Sequence, residues 1–201
     1  DLKVIVIGNH HAIVQGMLDF DYLSGKKFPS VHAIVASGGK FERYFFGKDE
    51  IAIPLFSSID QVGHRLHDVA LFVNLVSGRR VLASTLELLR LPNMLGGVVF
   101  AEDVPEAHAI TIYKAALTEK KFVLGPASVG LLIPQYLKLG AIGGVDYRQF
   151  AESRIFTPGS TAVFSASGGM TNEIIRIVAQ QNKRLSFALA FGGDRFPILQ
   201  P

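Results

Sequence analysis

The chain has 201 residues, of which 49% are hydrophobic, and this content is ample for a packed core and excludes an intrinsically disordered protein. It contains no cysteine, which excludes disulfides, a thiolate nucleophile and thiolate metal sites, and fits a reducing compartment. The formal charge of +3 is thinly spread, so it weakly favours an anionic ligand and disfavours nucleic-acid binding, which needs a dense basic stripe with aromatic platforms.

The longest apolar runs indicate whether any segment could span a membrane. Residues 69–76 and 185–191 are strand-sized, far short of the roughly 20 residues that a membrane-spanning helix needs. The chain enters a strand pattern immediately, with no signal-peptide pattern before it. We therefore expect a cytoplasmic protein with no membrane partner.

Short β-branched runs alternate with stretches of helical period up to residue 124. Between the runs, apolar residues recur at helical spacing, as at Ile59, Val62 and Leu66. The alternation predicts βαβ units and therefore an α/β fold with a Rossmann-like doubly wound parallel sheet. A short extra strand is expected at 43–46. The other predicted strands, several of them apolar on both faces as a buried parallel sheet requires, are 4–7, 31–35, 51–56, 69–75, 98–100 and 122–124.

The pattern changes after residue 125. Glycine and proline punctuate a stretch up to 158 that has no convincing period, and we interpret it as a connector. A strand at 161–165, a helix at 170–181 and a strand at 185–191 then predict the beginning of a second, flavodoxin-like α/β domain. Because a single βαβ unit buries little apolar surface, we expect this domain to be truncated or completed by a partner. The predicted boundaries are 1–145 for the first domain, 146–158 for the connector and 159–201 for the second domain.

The first glycine turn, residues 8–16, lies between a predicted strand and helix, where doubly wound folds bind phosphates. It lacks the G-x-G-x-x-G order, and no acidic residue at the end of the second strand is placed to bind a ribose, so a nicotinamide cofactor is disfavoured. A nucleotide-like ligand and a plain tight turn both remain open. His10 and His11 point to opposite sides of an extended backbone, so no metal site is predicted.

An arginine turn, residues 77–80, follows the predicted strand that ends at 75, on the same carboxyl edge of the sheet. Arginine at this position can grip a phosphate with bidentate hydrogen bonds. The alternative is a solvated helix start with ordinary surface arginines.

A serine–glycine turn, residues 165–170, gives the sharper signal. Glycines after a strand let backbone N–H groups converge, the Ser167 hydroxyl adds a donor, and the helix start supplies partial positive charge. A phosphoryl group or a carboxylate fits such a turn. The alternative is a serine N-cap followed by permissive glycines.

Glu102 comes just after a buried strand, where a carboxylate can orient a histidine or act as a base. The alternative is an acid near the start of the helix that Pro105 begins. The Gly-Lys pairs lack the spaced glycine before and the hydroxyl residue after that a Walker loop has, so any ATP site lies outside this chain. The sequence contains no G-x-S-x-G motif, so acyl-enzyme hydrolase chemistry is unsupported.

Several segments, in order and over nearly the whole chain, resemble the CoA-binding and ligase region of ATP-citrate lyase, and more distantly the alpha subunit of succinyl-CoA synthetase. A citryl-CoA synthetase subunit shares this resemblance. The segments are residues 12–22 (AIVQGMLDFDY), 50–56 (EIAIPLF), 101–106 (AEDVPE), 125–130 (GPASVG), 158–173 (PGSTAVFSASGGMTNE) and 192–197 (GGDRFP).

The resemblance implies a CoA-binding domain followed by the beginning of a CoA-ligase domain. It also implies an acid–thiol ligation: ATP phosphorylates a histidine, the phosphate passes to citrate, and CoA displaces it to give citryl-CoA, which a lyase cleaves to acetyl-CoA and oxaloacetate. Coenzyme A would bind to this chain. ATP and Mg²⁺ would bind to an ATP-grasp domain or subunit outside it, within a hetero- or homo-oligomer.

The same resemblance implies roles for individual residues. Ser167, Gly168 and Gly169 would hold the phosphohistidine or citryl-phosphate, and Glu102 would orient the histidine. The residues that would hold CoA are Gly8, His10, Gln15, Gly16, Ser77 and Arg79.

Three departures from the family pattern matter. Ala166 stands where the family usually has the arginine of S-R-S-G, so charge near the phosphate site is reduced. Asp103 replaces the glycine of the E-G-I-P turn, so the backbone around Glu102 is expected to differ in conformation from the family's turn. The family's catalytic histidine lies in a G-H-A-G segment well beyond G-G-D-R, and none of the six histidines here matches it. A non-catalytic CoA- or nucleotide-binding sensor module is therefore the alternative function.

Overall fold

The computed structural model describes residues 2–199, apart from the side chain of His64, so the outermost residues of the two predicted domains lie outside it. Its larger sheet has seven strands in the order β3-β4-β2-β1-β5-β6-β7. All neighbours pair in parallel except the predicted extra strand β3, which pairs antiparallel with β4. The strands are β1 (Lys3–Ile7), β2 (Val31–Val35), β3 (Phe41–Phe46), β4 (Asp49–Phe56), β5 (Val69–Asn74), β6 (Gly96–Val99) and β7 (Phe122–Leu124).

Helices cover both faces of this sheet. Alternate residues of β1 belong to separate hydrophobic clusters, with Ile5 and Ile7 in one and Val4 and Val6 in the other. The doubly wound Rossmann-like fold predicted from the sequence is therefore confirmed. The helices are α1 (His11–Leu23), α2 (Ile59–Val62), α3 (Val81–Leu89) and α4 (Glu106–Glu119), with a 3₁₀ helix at Gly63–Asp68.

A second sheet of four strands has the order β10-β11-β8-β9. Strands β10 and β11 are parallel, as expected for a βαβ unit, whereas β8 is antiparallel to both β11 and β9. A third hydrophobic cluster, which includes Leu132, Val163 and Ile175, packs beneath it. The elements are β8 (Gly130–Ile133), β9 (Leu137–Gly140), α5 (Tyr147–Ser153), β10 (Thr161–Ser165), α6 (Gly168–Gln180) and β11 (Leu185–Ala190).

The β8–β9 hairpin corrects one expectation. The glycine-rich stretch from 125 to 158 is not a featureless connector, because it supplies two strands of the second sheet and α5. The second sheet is consequently larger than the single βαβ unit expected from the sequence. The boundaries at 145 and 158 remain predictions.

The carboxyl edges of the two sheets meet where the segment after β7 runs beside the segment after β11. The Gly125 N–H donates to the Phe191 carbonyl at 2.8 Å, and the Gly193 N–H donates to the Ala127 carbonyl at 3.3 Å. A Cβ at Gly192 would collide with the Pro126 carbonyl oxygen, so the two segments touch closely. Turns from both sheets are thereby brought together. Between residues 2 and 199, no helix has the length and apolar character needed to cross a bilayer.

Candidate functional site

The first glycine turn fits between the ends of three strands. The Gly8 N–H donates to the Val35 carbonyl at 2.8 Å, and a Cβ at Gly8 would lie 3.2 Å from backbone atoms of Leu75 and Val76. Gly8 has a φ of 86°, a left-handed conformation that favours glycine. His10 is exposed, and its carbonyl accepts the first backbone hydrogen bonds of α1.

Gln15 and Gly16 hold α1 against its neighbours. The Gln15 amide donates to the Phe45 carbonyl at 2.9 Å and accepts from the Phe45 N–H at 3.0 Å, which fastens α1 to β3. Gly16 is buried, and a Cβ there would lie 3.1 Å from backbone atoms of Val145. Both residues therefore have packing roles, and their contact with CoA stays a prediction.

A polar cluster at the first glycine turn was missed by sequence reasoning. Glu42, from β3, accepts a hydrogen bond from the Asn9 amide and lies 3.4 Å from His11 Nδ1. The His11 ring stacks on Tyr44 with centroids 4.7 Å apart. Burial, followed by the Glu42 carboxylate, raises the pKa of the Tyr44 hydroxyl. No local signal in the sequence predicts that Glu42 reaches this turn, since it lies more than thirty positions away on an added strand.

The segment that leads from β5 into the arginine turn is tied to α3 by Asn74, which is fully buried at the end of β5. Its amide donates to Ser84 Oγ at 2.8 Å and to Thr85 Oγ1 at 3.0 Å, and its carbonyl oxygen accepts from the Val76 N–H at 3.3 Å. Because β1 and β5 are neighbours, this turn lies beside the first glycine turn. Within residues 2–199 the exposed Arg79 guanidinium has no hydrogen-bond or ion-pair partner, so it is available for a ligand.

The glutamate turn, residues 101–104, contains a left-handed residue immediately after Glu102. Asp103 has a φ of 54°, in the left-handed region that aspartate tolerates better than most residues. A Cβ at Gly78 would lie 2.7 Å from the Glu102 carbonyl oxygen, so the arginine turn packs directly on this turn. Asp103 thus adopts a backbone conformation that glycine also adopts readily.

The serine–glycine turn caps α6. Ser167 Oγ accepts from the Met170 N–H at 3.3 Å, and Ser165 Oγ accepts from the Ser167 N–H at 3.1 Å. The N–H groups of Gly168 and Gly169 have no acceptor among the described residues. A Cβ at Gly169 would meet nothing within 4 Å, which shows that this part of the turn faces open space. The N-cap and anion-binding interpretations are thus compatible, because the Ser167 hydroxyl proton can still be donated.

The glutamate turn and the serine–glycine turn face one cleft of about 510 Å³. Glu102, which follows β6, and Ser167 to Gly169, which begin α6, are brought together from different sheets. Three carboxylates line the cleft, from Glu102, Asp103 and Asp194, and its described lining includes no basic side chain. The other lining residues are Phe100, Ala127, Ser128, Val129 and Gly193.

This polarity defines what the cleft can bind. Backbone N–H groups and a helix start suit an anion on one wall, whereas the carboxylates of the glutamate turn suit an N–H donor on the other. Within residues 2–199, no group of three or more acidic or histidine side chains is arranged to hold a metal ion. Outside the cleft lining lie the residues expected to bind CoA: Gly8, His10, Gln15, Gly16, Ser77 and Arg79.

The two joined sheets define the class of protein. The chain has the α/β fold shared by ATP citrate lyase and acetyl-coenzyme A synthetase. A dinucleotide-forming acetyl-coenzyme A synthetase from Ca. Korarchaeum cryptofilum matches 94% of the chain with a TM-score of 0.68 at 16% identity, which establishes the fold alone. ATP citrate lyase from Methanothrix soehngenii, solved with citrate and coenzyme A, matches 98% of the chain with a TM-score of 0.93 at 30% identity.

Sequence relatives have the same resemblance. The chain is 36% identical to a probable ATP-citrate synthase subunit 1 of Schizosaccharomyces pombe over 98% of its length, and 35% identical to the ATP-citrate synthase of Homo sapiens over 97%. These matches confirm the resemblance of the chain to the ATP-citrate lyase family. No protein-family model matches the chain. The chain spans 32% of the fission-yeast relative and 18% of the human one.

Proposed function

We propose that the chain is the CoA-binding part of an ATP-dependent citrate–CoA ligase or lyase. It would bind CoA on its first sheet and receive, in the cleft, a phosphohistidine from sequence outside this chain. An ATP-grasp domain or partner subunit would use ATP and Mg²⁺ to form that phosphohistidine. The phosphate would pass to citrate, and CoA would displace it to give citryl-CoA, which a lyase cleaves to acetyl-CoA and oxaloacetate. The identities of the relatives support this assignment.

The observation that carries the proposal is that Glu102, from the first sheet, and Ser167, Gly168 and Gly169, from the second, line one cleft. A histidine that attacks phosphate through one ring nitrogen keeps its proton on the other, so the protonated phosphohistidine has an anionic phosphoryl group at one end and a ring N–H at the other. The unpaired N–H groups at the start of α6 suit the phosphoryl group, and the carboxylate wall suits the ring N–H.

Pre-set donors also suit a migrating phosphoryl group. Because phosphoryl transfer spreads charge over equatorial oxygens, catalysis depends on donors that need no rearrangement during the reaction. The N–H groups of Gly168 and Gly169 are fixed by the helix, and Ser167 is fixed by its hydrogen bond to the Met170 N–H. Glu102 would keep the imidazole oriented by accepting a hydrogen bond from the ring N–H.

CoA binding is assigned to the turns at the carboxyl edge of the first sheet. The first glycine turn and the arginine turn lie side by side, and Arg79 has no partner among the described residues. Guanidinium groups bind phosphate through charge-assisted, often bidentate hydrogen bonds. The packing of Gly78 on the glutamate turn links this assigned CoA site to the cleft.

Calorimetric titration of the chain with CoA tests the proposal. We expect measurable affinity, weakened about tenfold in Arg79→Ala because one charge-assisted phosphate contact is lost. Arg90→Ala is the matched control, since Arg90 is an exposed arginine at the other end of α3. Absence of heat with CoA at millimolar concentration, or equal loss of affinity in both variants, would overturn the assignment.

The alternative is a non-catalytic CoA- or nucleotide-binding sensor module. Ala166 and the absence of a basic side chain from the described cleft lining favour it, because both weaken binding of a phosphoryl group. A stable phosphohistidine-analogue peptide separates the two functions. Binding of CoA together with the peptide supports the enzyme, and binding of CoA without the peptide supports the sensor.

A further inference from the structure

Asp194 belongs to one wall of the cleft and bonds to the other. It follows β11 of the second sheet, whereas the glutamate turn follows β6 of the first. Its Oδ2 accepts a hydrogen bond from the Val104 N–H at 3.1 Å, two residues after Glu102. The carboxylate therefore bridges the two sheets at the cleft.

The position of Glu102 depends on the backbone that carries it. The Glu102 side chain is exposed and forms no hydrogen bond with any residue between 2 and 199. Its turn is held by the Ala127 N–H, which donates to the Ala101 carbonyl at 2.8 Å, by close packing of Gly78, and by Asp194. Among the described residues, Asp194 supplies the side-chain hydrogen bond to this turn.

The glutamate turn needs such a restraint. Asp103 is left-handed, a conformation that costs free energy in any residue other than glycine and persists where its surroundings fix it. The Asp194 bond acts on the residue immediately after Asp103. Asp194 is itself firmly placed, because Gly192 packs on the Pro126 carbonyl and the Gly193 N–H bonds to Ala127.

We infer that Asp194 is a positioning residue, whose carboxylate sets Glu102 at a fixed distance from the N–H groups of Gly168 and Gly169. This role rests on the proposed function, since the ligand spanning the two walls is taken to be a phosphorylated imidazole. The hydrogen bond from Val104 predicts that an acceptor oxygen at residue 194 is the essential feature, while its negative charge contributes less.

Asp194→Ala and Asp194→Asn separate these contributions. Asparagine keeps an acceptor oxygen without the charge, and alanine removes both. Two quantities are measured in each variant: hydrogen exchange of the Val104 amide by NMR, and affinity for a stable phosphohistidine-analogue peptide by calorimetry. Asp60→Ala is the matched control, because Asp60 is an exposed aspartate on α2 outside the cleft.

We expect Asp194→Ala to speed exchange of the Val104 amide and to weaken peptide affinity, each by about tenfold. Asp60→Ala should stay within about twofold of the unmodified chain in both measurements. Asp194→Asn should keep Val104 exchange within about twofold and should not lose peptide affinity, since it keeps the acceptor and removes a negative charge from the cleft. If Asp194→Ala does not fold, Asp194→Glu, which displaces the carboxylate by one methylene, is measured in the same way and should show both losses.

Unchanged hydrogen exchange of the Val104 amide in Asp194→Ala would overturn the inference. Equal losses in Asp194→Asn and Asp194→Ala would also overturn it, since the negative charge and not the acceptor oxygen would then be decisive. Failure of the proposed function is distinguishable. It would appear as no peptide binding by the unmodified chain, whereas the Val104 measurement needs no ligand.

Discussion

Ala166 is exposed within the serine–glycine turn, next to Ser167 of the cleft lining, where an arginine would add positive charge near a cleft whose lining includes three acidic residues. We predict that Ala166→Arg binds the phosphohistidine-analogue peptide about fivefold more tightly at low salt, because guanidinium groups form charge-assisted bonds to phosphoryl oxygens. The gain should shrink as ionic strength rises. Calorimetry at two salt concentrations measures both effects.

Ala166→Gln is the control for this change, since it adds a long polar side chain without charge. An equal gain in Ala166→Gln, or a gain that salt does not reduce, would contradict the electrostatic explanation. Because Ala166 lies before the N-cap residue of α6, neither variant should disturb the helix.

Sequence reasoning predicted the residues of the cleft that have a local signature. Ser167, Gly168 and Gly169 stand between a strand and a helix, and that context alone predicts an anion-binding turn. Asp194 has no local signature, because its hydrogen bond to the Val104 N–H spans 90 positions and two sheets. Glu42 had no signature, since its contacts with Asn9 and His11 depend on the pairing of β3 with β4.

The packing of α1 gives a prediction about a whole helix. A Cβ at Gly16 would press on backbone atoms of Val145 at 3.1 Å, and backbone cannot move aside as a flexible side chain can. We expect Gly16→Ala to lower the free energy of unfolding by about 1–3 kcal/mol, as overpacking does elsewhere. Urea denaturation measures the change.

Gly39→Ala is the matched control, because a Cβ there meets nothing closer than the Phe41 carbonyl at 3.9 Å. CoA affinity is measured in the same two variants. A loss of CoA affinity in Gly16→Ala without a loss of stability would contradict the packing role and support the predicted CoA contact.

The helices and strands of the first sheet were readable from the sequence because β-branched runs and helical periods are local properties. The β8–β9 hairpin was not, because its strands are only four residues long and glycines stand at their outer ends, Gly130 and Gly140. Its place is decided by pairing of Leu132 with Ala188 across more than fifty positions. Such long-range pairing leaves little trace in the sequence of either strand.

Lys138 lies where the first helix meets the second sheet. It is 1% exposed, donates to the Gly140 carbonyl at 2.7 Å, and lies over the Phe150 ring at 5.1 Å. Burial lowers the pKa of Lys138 from 10.5 to about 7, with partial compensation by Asp21 and Asp19 of α1. Because this pKa is lower in the folded chain, the unfolded chain binds the extra proton between about pH 7 and 10.5, and raising the pH in that window stabilises the fold.

We therefore predict that the stability of the unmodified chain relative to Lys138→Met rises between pH 7 and 10, by up to about 1.4 kcal/mol per pH unit. Below pH 7 the difference should be constant. Urea denaturation at a series of pH values measures it, and comparison with the methionine variant removes the contribution of other titrating groups. A difference that does not vary between pH 7 and 10 would contradict a depressed pKa for Lys138.

The pairing of β8 with β11 also bears on how the chain can be divided. A polypeptide ended at residue 145 would retain the β8–β9 hairpin but lose β11, leaving an unpaired row of backbone N–H and C=O groups along β8. Exposed strand edges of this kind recruit strands from other molecules. A first domain excised at that point would therefore tend to aggregate, and a shorter piece that also omits the hairpin would leave α1 without the β9 residues that pack against it.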